Sequence, residues 1–165
     1  MYRPVVDKEV VEFLRNEQKP LEGRLGEIER QANEDGVPII PHETVVFLNL
    51  LLGQIKPKQI LEIGAAIGFS SSLMARHVGD DGHVTTIDRF DVMIKKARKN
   101  YEVLGLTDKV TLLEGQAADI LSTLEGPYDF IFMDSAKSKY YDFFPDCMRL
   151  LKKGGMIIVD DDLQG

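Results

Sequence analysis

Five short apolar runs, alternating with amphipathic ones, constrain this chain more than any other feature of its sequence. The runs are QILEIG (59–64), HVTTID (83–88), KVTLLEG (109–115), YDFIFMD (128–134) and MIIVDDD (156–162). Between them lie FSSSLMARHV (69–78), FDVMIKKARKNYEVLG (90–105), AADILSTL (117–124) and YYDFFPDCMRLLKKGG (140–155), which read as helices. Strand–helix alternation of this kind predicts an α/β fold, a mostly parallel sheet with helices on both faces. In such sheets ligands sit beyond the carboxyl ends of the strands, where the strand order reverses. Each predicted strand carries an acid at or beside its last apolar position: Glu62, Asp88, Glu114, Asp134 and the run Asp160-Asp161-Asp162. The chemistry is therefore expected at that end of the sheet.

The residues before the first strand read as helices. Asp7 is placed to cap the first, with Val10, Val11 and Leu14 on one face. Pro20 suits the first position of the second, whose stripe is Leu21, Leu25, Ile28 and Ala32. Gly36-Val37-Pro38 breaks the chain, and a third helix is predicted from Pro41 to Gln54. The expected division is a helical N-terminal extension, 1–36, and a ligand-binding α/β domain, 37–165.

Charge and cysteine content narrow the partners. A net charge of −7 gives no help in holding a phosphate backbone. Lys95, Lys96, Arg98 and Lys99 form a basic helical face that reads as solvated. Cys147 is the sole cysteine, so no internal disulfide forms, which fits a reducing compartment, and its apolar helical surroundings make it a small core residue. The N-terminus lacks the pattern of a signal peptide and no run approaches the roughly 18 apolar residues of a membrane span. A cytoplasmic protein with no membrane partner is expected.

The loop LEIGAAIGFSS joins the first strand to its helix. Gly64 permits a tight turn and Gly68 a close approach of helix and ligand, with the amides from Phe69 to Ser71 facing the ligand. Ala66 stands where a dinucleotide fingerprint has its second glycine, the one that admits a pyrophosphate. With Glu62 nearby, that argues against NAD and for a ligand bearing a carboxylate and an amine. Asp88, closing the next strand, is placed to accept both hydroxyls of a ribose. Gly115-Gln116-Ala117 would flank an adenine ring. The histidines His42, His77 and His83 fit no part of this pattern and read as cap or surface residues.

EIGAAIGFSS, TID, MDSAKSKYYDFF and GGMIIVDDDLQG together resemble the metal-dependent catechol and caffeoyl-CoA O-methyltransferase family in its short bacterial form, which includes tRNA 5-hydroxyuridine methyltransferases. The likeness covers residues 37–165. It implies a Rossmann-like S-adenosylmethionine-dependent methyltransferase fold, S-adenosylmethionine as cofactor, and Mg²⁺ or another divalent cation. Residue by residue it implies Asp134, Asp160 and Asp161 as metal ligands, with Asp161 standing where the family has asparagine. Lys137 matches the general base and Asp134 a second catalytic position. Ile40, Gly64, Ser70, Asp88, Ala117 and Asp134 match cofactor contacts, and Glu62, Ala65, Gly68 and Arg89 complete the candidate cofactor set. The substrate it implies is a small phenolic molecule with adjacent hydroxyls, or tRNA, and the assembly a homodimer. The family's sheet continues for two strands beyond the position of Gly165, so the sheet expected here lacks its last two. That leaves a non-catalytic S-adenosylmethionine-binding remnant as the alternative.

Overall fold

The computed structural model describes residues 7–135 and 139–160. Its sheet contains β1 (Gln59–Ile63), β2 (His83–Asp88), β3 (Val110–Glu114), β4 (Tyr128–Met133) and β5 (Leu151–Val159) in the order β3-β2-β1-β4-β5. Every pairing is parallel. The order reverses between β1 and β4, which puts the switch point between the ends of those two strands.

The period-2 alternation of each strand feeds two separate cores. Ile60, Val84, Phe130 and Phe132 pack on one face with α3 (His42–Ile55), α4 (Phe69–Ala75) and α5 (Asp91–Leu104). Leu61, Ile63, Ile131 and Met133 pack on the other with α6 (Ala117–Thr123) and α7 (Tyr140–Leu150). A central strand covered on both faces reads as a near-continuous apolar run, and Ile60, Leu61 and Ile63 are all buried, with Glu62 the buried exception. Cys147 is completely buried among Phe143 and Leu150 of α7, the core role expected from its surroundings.

The N-terminal helices behave differently from one another. Asp7 caps α1 (Lys8–Glu17) by accepting from the Glu9 amide. The apolar stripe of α1 is not covered: Val10 is 50% and Leu14 54% exposed. The next helix, α2 (Gly23–Glu34), starts three positions after Pro20, so that proline precedes the helix instead of opening it. The chain before α2 folds close over it at Gly26, where a Cβ would stand 1.9 Å from the Leu21 carbonyl oxygen. Leu25 and Ala32 of α2 lie in the same buried cluster as Phe130 of the sheet.

A further boundary differs from the sequence expectation. The run YYDFFPDCMRLLKKGG does not stay helical to its glycines: α7 ends at Leu150 and β5 begins at Leu151. Leu151 pairs with Tyr128, the chain then departs from the ladder, and pairing resumes at Met156 opposite Phe130. Gly154, at φ +83°, turns the excursion. A Cβ at Gly155 would stand 2.9 Å from the Asp129 carbonyl oxygen. The pull of a strand pairing on both sides of this bulge outweighs the helical spacing of LLKK.

Candidate active site

The turn after β1 is built from backbone that most residues avoid. Gly64 lies at φ +105°, Ala66 at +44° and Gly68 at +75°. At Gly64 a Cβ would fall 1.9 Å from the carbonyl oxygen of Asp134, so only glycine lets the β1 and β4 ends meet at the switch point. At Gly68 the space for a Cβ is taken by the ring of Tyr101, 2.7 Å away. The glycine there admits an α5 side chain, not only a ligand as its spacing suggested. Ala66 holds a left-handed conformation without being glycine, a strain of about 1–3 kcal/mol that persists only where the surroundings impose it.

Asp88 supplies part of that imposition. Its Oδ2 accepts from the Ala66 amide at 2.8 Å, and its Oδ1 from the amides of Arg89 at 2.7 Å and Phe90 at 2.9 Å. The carboxylate thus joins the β1 loop to the turn that opens α5, and Oδ2, with one bond accepted, keeps acceptor capacity. The exposed Arg89 guanidinium lies 4.7 Å from the Phe90 ring centroid and donates to the Gln116 side chain at 3.3 Å. Gln116 precedes α6, whose first residue is the half-buried Ala117. Ile40 and Ala65 are buried, as is Ser70 in the first turn of α4.

Glu62 is completely buried. It accepts a hydrogen bond from the Thr86 hydroxyl, while its Oε1 has no partner among the described residues. Burial pushes its carboxyl up to about 7, opposed by the neighbouring Ser70 and Thr86 hydroxyls, raised further by Asp134 and lowered by Ser71. Period 2 directs this side chain to the α4–α5 side of the sheet, beneath the glycine loop.

On the other side of the switch point the ladder runs past the strand ends. The Asp134 amide donates to Ile63 at 3.0 Å, and the Asp160 amide to Met133 at 2.9 Å. Met133 and Val159 are register partners, so Asp134 and Asp160 are the next residues on adjacent strands. Tyr140 fixes this end by donating its hydroxyl to the Asp160 carbonyl at 2.6 Å. Ser135 has a buried hydroxyl with no partner among the described residues. Lys137 and Asp161 lie outside the described residues. Among the described residues no group of three or more His, Cys, Asp or Glu is placed to hold a metal ion.

Of the acids closing the strands, Glu114 is removed from the site by its ion pair with Arg98 of α5. Asp88, Asp134 and Asp160 remain at the strand ends, with Glu62 below them. The histidines lie elsewhere and link elements, beyond the cap or surface roles their sequence suggested. His42 bonds the buried Glu29 at 2.6 Å, His77 bonds Asn49 at 2.8 Å and His83 bonds Thr111 at 2.8 Å. Sequence reasoning missed Thr86, which bonds Glu62, and Asn100 and Tyr101, which reach the loop region from α5, as well as the side-chain role of Ser71. The helical spacing of Tyr101 with Ile94 and Ala97 in a helix otherwise rich in lysine was the one available signal.

An O-methyltransferase family model matches residues 20–164. The catechol O-methyltransferase of Mycobacterium tuberculosis is 37% identical over 120 residues, covering 72% of this chain and 54% of that protein. The caffeoyl-CoA O-methyltransferase of Stellaria longipes is 33% identical over 126 residues, covering 72% and 52% respectively. The chain thus spans about half the length of the curated relatives it matches. Among solved structures, an O-methyltransferase from Bacillus cereus in complex with SAH superposes with a TM-score of 0.82 at 28% identity, covering 94% of this chain and 74% of that one. With its parallel sheet, its glycine turn at the switch point and these matches, the chain belongs to the O-methyltransferase family.

Proposed function

We propose that this chain is an S-adenosylmethionine-dependent O-methyltransferase acting on a small catechol-like substrate, with a divalent cation, Mg²⁺, at Asp134, Asp160 and Asp161. The observation that carries the reading is the meeting, at one sheet end, of a glycine turn tied to Asp88 and of two aspartates on adjacent strands. The names of the relatives favour a small phenol over RNA.

The residues divide the work. Asp88 would accept the ribose hydroxyls, and the turn from Gly64 to Gly68 would hold the methionine portion without room for a pyrophosphate. The donor set of Asp134 and Asp160 is all oxygen, which suits a hard cation. A bound cation lowers the pKa of a hydroxyl that coordinates it. Lys137 Nζ would take the proton from that hydroxyl, and the oxygen would form a bond to the methyl carbon as the carbon–sulfur bond breaks. Alignment of the two reactants is worth roughly 7–11 kcal/mol in such a transfer.

The test is transfer of labelled methyl from S-adenosylmethionine to 3,4-dihydroxybenzoate or to tRNA carrying 5-hydroxyuridine, with Mg²⁺ or with excess EDTA. Label is expected on the catechol with Mg²⁺ only, while calorimetric binding of S-adenosylhomocysteine survives chelation. Lys137→Ala should lower the maximal rate by roughly 10²–10⁴, less so at higher pH. Full transfer in EDTA overturns the metal, transfer to tRNA alone overturns the substrate class, and cofactor binding without transfer to either overturns the enzyme.

A further inference from the structure

The cofactor turn is held from behind by a helix that contributes none of the candidate cofactor residues. Two consecutive residues of α5 reach it. Asn100 Nδ2 donates to the Ile67 carbonyl at 2.8 Å. Tyr101 lays its ring where a Gly68 side chain would be, and its hydroxyl bonds the Ser71 hydroxyl at 2.8 Å. Tyr101 and Ser71 are both buried. Ser72 adds a bond to the Gly68 carbonyl at 2.5 Å. With Asp88 on the Ala66 amide, the turn is fixed at 66, 67 and 68 in succession. That is the over-determination that a turn with three positive φ angles requires.

We propose that the half-buried Asn100 and the buried Tyr101 and Ser71 form a brace that sets the shape of the Gly64–Gly68 turn, and thereby act as positioning residues for the cofactor. The part concerning cofactor rests on the reading given under Proposed function. The brace explains why a phenolic hydroxyl is buried on α5, where an apolar ring would pack with less desolvation cost. It also makes the turn a preformed surface, so that binding does not have to order it.

A double-mutant cycle on Tyr101→Phe and Ser71→Ala tests this, read as S-adenosylhomocysteine affinity by calorimetry well below the melting temperature. Each single change should weaken binding roughly 2- to 10-fold, the range of one net hydrogen bond. The double change should be no weaker than the poorer single, because the two share one bond. Asn100→Ala should weaken binding similarly. Lowered melting temperatures with unchanged affinity would overturn the positioning role and leave a structural one. Fully additive losses would overturn the Tyr101–Ser71 coupling. Hydrogen exchange at the Gly68 amide, which donates to Ala65 at 2.7 Å, gives a readout that needs no ligand. It should quicken in the variants more than exchange in β1 does. If the wild type binds no S-adenosylhomocysteine the cofactor reading falls by itself, and unchanged Gly68 exchange then overturns the brace.

Discussion

Asp88 and Glu62 are both acids at strand ends, yet their surroundings give them different physics. Asp88 accepts from three backbone amides and joins two turns. Asp88→Ala should cost S-adenosylhomocysteine binding at least tenfold, since each hydrogen bond to a charged group contributes about 1.5–3 kcal/mol. Calorimetry decides it, and undiminished affinity in the folded variant would remove Asp88 from the site. Glu62 has its carboxyl raised from 4.5 to about 7, chiefly by burial. Between those values the folded state holds a proton that the unfolded state has released. Stability therefore falls as pH rises through that window, by about 3 kcal/mol in all. Asp134 raises the same carboxyl, and burial together with Glu62 raises the Tyr101 hydroxyl. Glu62→Gln keeps an acceptor for Thr86 and cannot ionise. Its melting temperature relative to wild type should rise from pH 5 to pH 8; a difference that stays constant with pH would mean that Glu62 does not titrate in this window.

At the scale of elements, the turn after β1 matters most. Gly64→Ala would drive a methyl group into the Asp134 carbonyl at 1.9 Å and impose φ +105° on an L side chain. The β1 and β4 ends would have to separate, so cofactor binding should be lost and the thermal transition lowered by several degrees; a variant that melts and binds like wild type would refute the contact. The strands were legible in the sequence because each is a short apolar run stopped by glycine or an acid. The helices were legible at their capped ends, as at Gly105, which closes α5 at φ +67°. Legibility failed at the α7–β5 junction, where helical spacing and strand pairing compete for the same residues, and at Pro20, which lies three positions before the first residue of α2.

Over the whole molecule, α2 is part of the main core, as the burial of Leu25 and Ala32 in the cluster that also holds Phe130 requires. Leu25→Ala should therefore cost about 2–5 kcal/mol, the range for a truncated core leucine. Chemical denaturation measures this, and a loss under 1 kcal/mol would make α2 a mere appendage. Among the described residues no helix is long and apolar enough to cross a membrane. The periodicity of apolar residues, the glycines and the strand-end acids determined by themselves the parallel α/β class, the end of the sheet where chemistry is expected, and Glu62, Asp88, Glu114, Asp134 and the run from Asp160 as its candidate acids. These are local signals, set by the geometry of strand and helix. Tertiary structure alone decided that Glu114 is taken by Arg98, that Glu62 lies sealed beneath the turn, and that Asn100 and Tyr101 brace it from α5. Those outcomes depend on which side chains meet across the fold, because a hydrogen bond or a buried charge is decided by distances between residues that the order of the chain does not encode.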